Sequence, residues 1–164
     1  MSTTRLGGRL RVQVLADGGG RCGYCRSSEG ITGTPLEIEH IVPEALGCET
    51  RRANLWAVCR YCNLLKGDRI VAPDPETGFA TPLFNPREHR WTEHFSWIDG
   101  GLRVAGTTGI GRVTVEALAL NRALLVRARA YWVSAGWHPP EEPRAGLQRL
   151  APSIARFRAV AAVA

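Results

Sequence analysis

Two pairs of cysteines are the strongest chemical signal in this chain. Cys22 and Cys25 form the first pair, and Cys59 and Cys62 form the second. A Cys-x-x-Cys turn brings two sulfurs to one ion, and four thiolates close the tetrahedral coordination of Zn²⁺. The pairs therefore predict a structural zinc site, although the 33 intervening residues exceed the usual gap of about 15–20. The alternative is four reduced cysteines packed as small apolar side chains.

The surroundings of this predicted zinc site carry two further expectations. Four thiolates on Zn²⁺ leave a net negative charge, which we expect Arg26 and Arg60 to offset because each directly follows a cysteine. Cys48 is the odd cysteine of the five in the chain. It is expected to be a loop thiol and not a fifth ligand.

The segment between the cysteine pairs holds residues suited to phosphodiester hydrolysis. That reaction needs a base to deprotonate water and positive charge to stabilise the transition state and the leaving oxygen. His40 suits the base because an imidazole titrates near neutral pH. Glu39 and Asn63 offer a carboxylate and an amide oxygen, which are the hard ligands that Mg²⁺ or Mn²⁺ prefers. The residue types therefore predict a site for a catalytic divalent ion.

Each of these residues also has a plain structural interpretation. His40 would then be a satisfied histidine at a strand end. Glu39 would be a solvated carboxylate paired with Arg51 or Arg52. Asn63 would cap a helix, as asparagine often does.

The elements that must position these residues follow from local patterns. Leu36–Val42 alternates apolar and acidic residues and predicts a half-buried strand. Residues 44–53 read as a loop, and Asn54–Val58 predicts a second strand or a tight turn. A helix is expected from about Tyr61 to Leu65, with Gly67 at its end. Because neighbouring strand residues face opposite sides, the residues at 39 and 40 share one site only if the strand bends or ends there.

In order and spacing these residues resemble the His-Asn-His (HNH) endonuclease family, in the variant whose last histidine is an asparagine. The resemblance spans roughly residues 8–69. It implies that His40 is the general base, that Glu39 and Asn63 hold the divalent ion, and that Asn54 steadies the loop and orients the base. It also takes in a set of flanking residues: Ile41, Pro43, Gly47, Thr50, Leu55 and Lys66.

Two positions depart from the family pattern. Glu39 stands where the family usually has aspartate, which lengthens the ligand by one methylene. Cys48 replaces the second glycine of the usual loop pair.

The resemblance implies an α+β fold with a ββα-metal (His-Me finger) core. We expect residues 1–70 to form this core with its zinc site and residues 71–164 to form an extension that packs on it. Local patterns predict a first helix over residues 5–17. In the extension they predict a proline-rich connector, a hairpin and two helices: residues 71–90, the turn at Asp99-Gly100-Gly101, Thr114–Ser134 and about 144–160.

The formal net charge of +6 suits a polyanionic partner, and the resemblance implies DNA, in the double-stranded form. The candidate contacts with DNA are mostly basic: Lys66, Arg51, Arg52, Arg87, Arg90 and His94. Lys66 either contacts phosphate or is a solvated helix side chain. The stretch PLFNPREHRWTEHFSW either grips nucleic acid or forms an aromatic core cluster. Three later arginines are expected to form a solvated helix face: Arg122, Arg127 and Arg129.

The sequence thus favours a metal-dependent DNA endonuclease, and two alternatives stay open. One is a non-catalytic zinc module that binds nucleic acid, and the other is a subunit that cuts only within a larger complex. A homodimer is also left open. No apolar run approaches the roughly 20 residues of a membrane span, and the N-terminus lacks a signal-peptide pattern. A cytoplasmic location without membrane contact is therefore expected.

Overall fold

The computed structural model describes residues 6–141, which form short helices and three two-stranded antiparallel sheets. This arrangement confirms the α+β prediction. The elements in chain order are α1 (Gly8–Asp17), α2 (Glu29–Thr32), β1 (Glu37–His40), β2 (Leu55–Val58), α3 (Arg60–Lys66), β3 (Val71–Pro73), β4 (Ala80–Pro82), α4 (Trp91–His94), β5 (Phe95–Ile98), β6 (Arg103–Gly106), α5 (Gly109–Ala117) and α6 (Ala123–Ser134). The helix expected at about 144–160 lies outside the described residues.

The strand–loop–strand–helix order expected around the candidate site is confirmed. Strand β1 pairs antiparallel with β2, so that Glu39 lies opposite Trp56 and His40 lies opposite Leu55. Strand β1 ends at His40. This meets the condition under which the neighbouring residues Glu39 and His40 can face one site. Helix α3 follows β2 after a single residue and ends at Gly67, which adopts a φ of 51°. Only glycine adopts that backbone region freely.

The extension contains one hairpin that was expected and one that was not. Strands β5 and β6 pair around Asp99–Gly101, as predicted. Strands β3 and β4 form a second hairpin inside the proline-rich connector. The Asp74 side chain stabilises its turn by accepting from the Glu76 amide and the Thr77 hydroxyl at 3.2 Å each. Side-chain hydrogen bonds of this kind favour a turn.

The single helix expected from Thr114 to Ser134 is wrong, because the chain turns between α5 and α6. Leu118 and Leu120 are both fully buried. Residues two apart point to different sides of a helix, so one straight helix would not bury both against this core. Asn121 fixes the turn, since its amide accepts from the backbone N–H of Val104 and donates to its carbonyl, at 2.8 Å each.

One continuous cluster of buried apolar side chains joins the first 70 residues to the extension. It includes Tyr24 and Val58 on one side and Phe84, Trp91 and Phe95 on the other. Burying each side chain of this size contributes about 1.5–3 kcal/mol. The aromatic-core interpretation of the PLFNPREHRWTEHFSW stretch is therefore confirmed for its rings. The proposed domain boundary at residue 70 stays a prediction.

Within residues 6–141, none of the helices has the length and apolar character that a membrane crossing requires.

Candidate metal and catalytic site

The four cysteines of the two predicted pairs meet in the fold. Their sulfur atoms all lie within 4.8 Å of one another, and the Cys25 and Cys59 sulfurs are 3.7 Å apart. Four thiolates at about 2.3 Å from one Zn²⁺ would be about 3.8 Å from each other. Three of the four are fully buried. The donor set and its dimensions therefore fit a closed, structural zinc site, and Cys48 lies outside it in the loop after β1.

The charge around this cluster differs from the expectation. Arg60 is exposed and donates to the Glu37 carboxylate at 3.1 Å, so the prediction that it offsets the zinc site is not supported. Arg129, which was expected on a solvated helix face, is fully buried. That prediction is wrong, because the Arg129 guanidinium reaches the Cys25 carbonyl of the first knuckle at 3.4 Å.

Glu39 faces inward from β1 and is only 4% exposed. Its Oε1 accepts from the Tyr24 hydroxyl at 2.8 Å and lies 3.0 Å from the Lys66 ammonium. Burial raises the pKa of Glu39 to about 7, and the nearby charge of Lys66 acts in the opposite direction. Its Oε2 is buried without a hydrogen-bond partner in the described structure. The solvated pairing with Arg51 or Arg52 is therefore wrong.

Tyr24 was missed by the sequence reasoning. It lies between Cys22 and Cys25, so the first zinc knuckle itself supplies the hydroxyl that holds Glu39. The signal was its place inside the Cys-x-x-Cys motif, where only the cysteines drew attention. The four-cysteine cluster and the candidate catalytic site therefore share a structural element.

His40 faces the loop that follows β1. Its Nε2 lies 2.9 Å from the Thr50 hydroxyl and 3.5 Å from the Glu44 carboxylate. The Thr50 hydroxyl donates to Glu44, so it accepts from His40 and the proton of the neutral ring sits on Nε2. The hydrogen-bond network thus leaves Nδ1 of His40 as the unprotonated nitrogen.

Glu44 is the second residue that the sequence reasoning missed. Its spacing from His40, four residues across a proline-containing turn, was the available signal.

Asn54 ties the two ends of the loop together. Its Oδ1 accepts from the Val42 amide at 2.9 Å, while its Nδ2 donates to the Val42 carbonyl at 2.8 Å and to the Glu49 carbonyl at 3.4 Å. Its own backbone carbonyl accepts from the Ile41 amide, next to His40, at 2.9 Å. The contacts suit a residue that steadies the loop.

Asn63 lies inside α3, whose N-cap is Cys59, so the helix-cap interpretation is wrong. Its Nδ2 donates to the Glu37 carboxylate at 2.7 Å. In the described part of the chain, the Asn63 side chain makes this hydrogen bond through its nitrogen. The Oδ1 oxygen of the amide therefore stays available as an acceptor. Asn63, Glu39 and His40 line the same cleft of about 500 Å³. The structure thus brings the three candidate residues together without direct contacts between their side chains.

Lys66 is only 2% exposed, so the solvated helix position considered for it is wrong. Its ammonium pairs with Glu39 and donates to the His40 carbonyl at 3.2 Å. A phosphate contact by Lys66 would require the ammonium to leave Glu39.

The four arginines expected to contact DNA divide into two that share the Asp17 carboxylate and two that are exposed, of which Arg90 lies 3.9 Å from the Glu93 carboxylate. Arg52 and Arg87 line a second, shallow cleft, and both pair with Asp17, at 2.5 and 2.8 Å. Arg87 also stacks over the Trp56 ring at 4.5 Å. The remaining two, Arg51 and Arg90, are exposed.

His94 lies in the extension and does not line the cleft of His40. Its Nδ1 is 2.7 Å from the Thr108 hydroxyl, and its ring centre is 4.8 Å from that of His89. Burial lowers the pKa of His94, and the neighbouring His89 adds to this effect. A neutral imidazole packed in this way is a weaker partner for phosphate than an exposed cation.

Comparison with known proteins concerns the segment that holds this cleft. Residues 22–69 match the family model described as HNH endonuclease. Septu protein PtuB from Bacillus mycoides (strain KBAB4) is 28% identical over 137 residues, which cover 68% of this chain and 46% of the relative. The chain thus spans less than half the length of that relative. No solved structure matches the chain significantly. The family model thus places an HNH endonuclease domain at residues 22–69, as the cysteine, histidine and asparagine spacing predicted.

Proposed function

We propose that this chain is a metal-dependent endonuclease that hydrolyses DNA phosphodiester bonds. The observation that carries the proposal is the set of unused polar atoms around one cleft. Glu39 contributes a buried Oε2 without a partner, His40 contributes the unprotonated Nδ1, and Asn63 contributes its amide oxygen. A buried polar atom without a hydrogen-bond partner destabilises a fold. A bound ligand that supplies the missing partner would explain why such an atom is present in this cleft.

Two of these atoms suit a divalent ion. Glu39 Oε2 and Asn63 Oδ1 are hard oxygen donors, and Mg²⁺ or Mn²⁺ needs only one or two of them because it keeps several waters. When bound, such an ion supplies positive charge to the scissile phosphate and to the departing 3′-oxygen, which leaves 5′-phosphate ends. Lys66 on the other carboxylate oxygen keeps Glu39 in place.

His40 is the proposed general base. Its Nε2–H is held by Thr50, and Thr50 is held by Glu44. The chain of hydrogen bonds fixes the ring orientation and directs proton uptake to Nδ1. The Glu44 carboxylate, 3.5 Å from the ring, stabilises the imidazolium that forms when water loses its proton.

The proposed DNA surface combines the exposed arginines with the shallow cleft. Arg51 and Arg90 are exposed, and Arg52 and Arg87 line the cleft. Guanidinium groups position a phosphate backbone without reading its sequence. On DNA binding, Arg52 would exchange its ion pair with the Asp17 carboxylate for one with a phosphate.

The experiment compares the intact chain with His40→Ala on supercoiled plasmid DNA, with Mg²⁺ or Mn²⁺ and with excess EDTA. Loss of the base should lower the cleavage rate by about 10²–10⁴-fold, while zinc content and the circular dichroism spectrum stay unchanged. His89→Ala serves as the matched control, because it removes an imidazole outside the cleft and should keep its activity.

Undiminished cleavage by His40→Ala would refute the assignment of the base. A wild-type chain that binds DNA but does not cut it with either metal would favour the non-catalytic module. Cutting that begins only when a second protein is added would favour a subunit of a larger complex.

A further inference from the structure

Arg129 on α6 is a fully buried cation without a carboxylate partner among residues 6–141. Its guanidinium donates only to neutral oxygens, namely the carbonyls of Leu102 at 3.2 Å and Cys25 at 3.4 Å and, at 3.5 Å, the amide oxygen of Asn121. Its Nε has no hydrogen-bond partner in the described structure. The three oxygens satisfy part of the fork but leave its charge uncompensated.

A buried charge of this kind is strongly unfavourable unless an opposite charge lies close by. Burial lowers the pKa of Arg129 to about 10, which still leaves the side chain charged at neutral pH. The hydrogen bond from the guanidinium to the Cys25 carbonyl, at 3.4 Å, places this cation next to a residue of the four-cysteine cluster. The thiolates of that cluster are anionic when they hold zinc.

The geometry points to Arg129 as the counter-charge of the zinc–tetrathiolate site, holding α6 against the first knuckle. Zn²⁺ with four thiolates carries a net charge of −2, and Arg129 supplies one positive charge from within the protein. The face of the Trp97 ring lies 5.0 Å from the guanidinium carbon and keeps water from it.

The consequence is reciprocal coupling between zinc and the extension. If Arg129 strengthens zinc binding, bound zinc must strengthen the docking of α6 by the same factor. Arg60, which follows Cys59 directly, does not take this role because its guanidinium is exposed and bonded to Glu37. This inference concerns the zinc site alone and does not depend on the nuclease proposal.

The test uses two substitutions at position 129 and one matched control on the same helix. Arg129→Gln keeps hydrogen-bond donors but removes the charge, whereas Arg129→Lys keeps the charge but loses the fork. Arg127→Gln removes an exposed charge from α6. Zinc affinity is measured on the full chain by competition with a chromogenic chelator. Arg129→Gln should bind zinc about tenfold more weakly, Arg129→Lys should stay close to the wild type, and Arg127→Gln should be unchanged.

Cobalt substitution gives a second readout that a purely structural role would not move. A positive charge beside the thiolates lowers the energy of their lone pairs and raises the energy of sulfur-to-cobalt charge transfer. Arg129→Gln should therefore shift that absorption band to longer wavelength, and Arg129→Lys should largely restore it.

Three outcomes would overturn the inference. The first is wild-type zinc affinity with an unshifted cobalt band in Arg129→Gln. The second is an equal loss in Arg129→Gln and Arg129→Lys, which would assign the effect to the hydrogen-bonding fork. The third is failure of both variants to fold, which would indicate a packing requirement. A folded Arg129→Lys beside an unfolded Arg129→Gln would support a requirement for charge.

Discussion

Thr114 in the extension and Asn63 in the HNH domain (residues 22–69) are both polar residues on short helices, but their hydrogen bonds differ. The Thr114 hydroxyl accepts from the Phe84 amide at 2.8 Å and donates to the Ile110 carbonyl at 2.7 Å. Asn63 donates from its amide nitrogen to Glu37, lines a cleft, and has an amide oxygen that is not used in that hydrogen bond. One side chain is consumed by the fold, and the other retains capacity for a ligand.

The same contrast holds for the conspicuous Gly-Arg-x-Thr stretch of the extension. A Cβ on Gly111 would lie 1.9 Å from the His94 carbonyl, so only glycine fits there. Arg112 donates to both oxygens of Asp74, at 3.0 and 2.6 Å. Each residue of this stretch thus has an internal structural partner. The comparison indicates that unused hydrogen-bonding capacity, and not residue type alone, distinguishes a candidate site from scaffold.

The largest expected effect comes from breaking the four-cysteine cluster of the HNH domain, whose donors fit a structural zinc ion. Cys22→Ser should lose the metal and the cooperative fold together, because structural zinc contributes about 10–16 kcal/mol in small zinc domains and a whole domain is stable by only about 5–15 kcal/mol. Cys48→Ser is the matched control and should keep both. Zinc content by atomic emission and thermal unfolding by circular dichroism check the pair.

A folded, zinc-free Cys22→Ser would contradict this prediction. It would show that the aromatic cluster shared with the extension is sufficient to hold the fold.

A smaller effect is expected at Lys66, which lies in the HNH domain but has all its contacts inside the protein. Lys66→Met leaves the Glu39 carboxylate buried without its counter-charge, and such a change costs about 3–5 kcal/mol. The double variant with Glu39→Gln should recover part of this loss. Denaturant unfolding of the zinc-loaded protein measures both, with Arg51→Met as an exposed control.

The outcome also decides whether Lys66 belongs with the internally bonded residues or with those that face a ligand. Unchanged stability together with weakened DNA binding would show that Lys66 belongs with the ligand-facing residues, against the burial described here.

Much of the HNH domain was predictable because its constraints are local. Alternation from Leu36 to Val42 indicated β1, and the spacing of the cysteine pairs indicated one metal cluster. The inward direction of Glu39 was not predictable, because it depends on Tyr24 and Lys66, which come from a knuckle and a helix distant in sequence. Burial of a charged pair is a tertiary property that no single stretch encodes.

The extension was harder to predict for the same reason. Leu118, Leu125 and Trp132 recur at intervals of seven, as on one face of a helix. Asn121 nevertheless holds the backbone of Val104, and the chain turns there. Arg129 was predicted on a solvated helix face together with Arg122 and Arg127, and an arginine is indeed rarely fully buried. Only its hydrogen bonds to Cys25 and Leu102, which are distant in sequence, explain why Arg129 is buried.

The smallest expected effect is on the pH dependence of the free energy of unfolding, and it arises from Asp74 in the extension. The Asp74 carboxylate is 3% exposed and bonded to Arg112, which lowers the pKa of Asp74 from 3.8 to about 2. The lowered value means that the native state binds its proton less readily than the unfolded chain, so this contribution to stability is present above pH 4 and is lost as the pH falls towards 2. Glu76 also pairs with Arg112, at 2.8 Å. Asp74→Asn should therefore be less stable than the wild type at pH 6, and the difference should shrink towards pH 2.

Urea unfolding at several pH values measures this difference in stability. Glu116→Gln, which removes an exposed carboxyl on α5, should follow the wild-type curve. A constant difference across the pH range would mean that Asp74 acts through its turn hydrogen bonds and not through its charge.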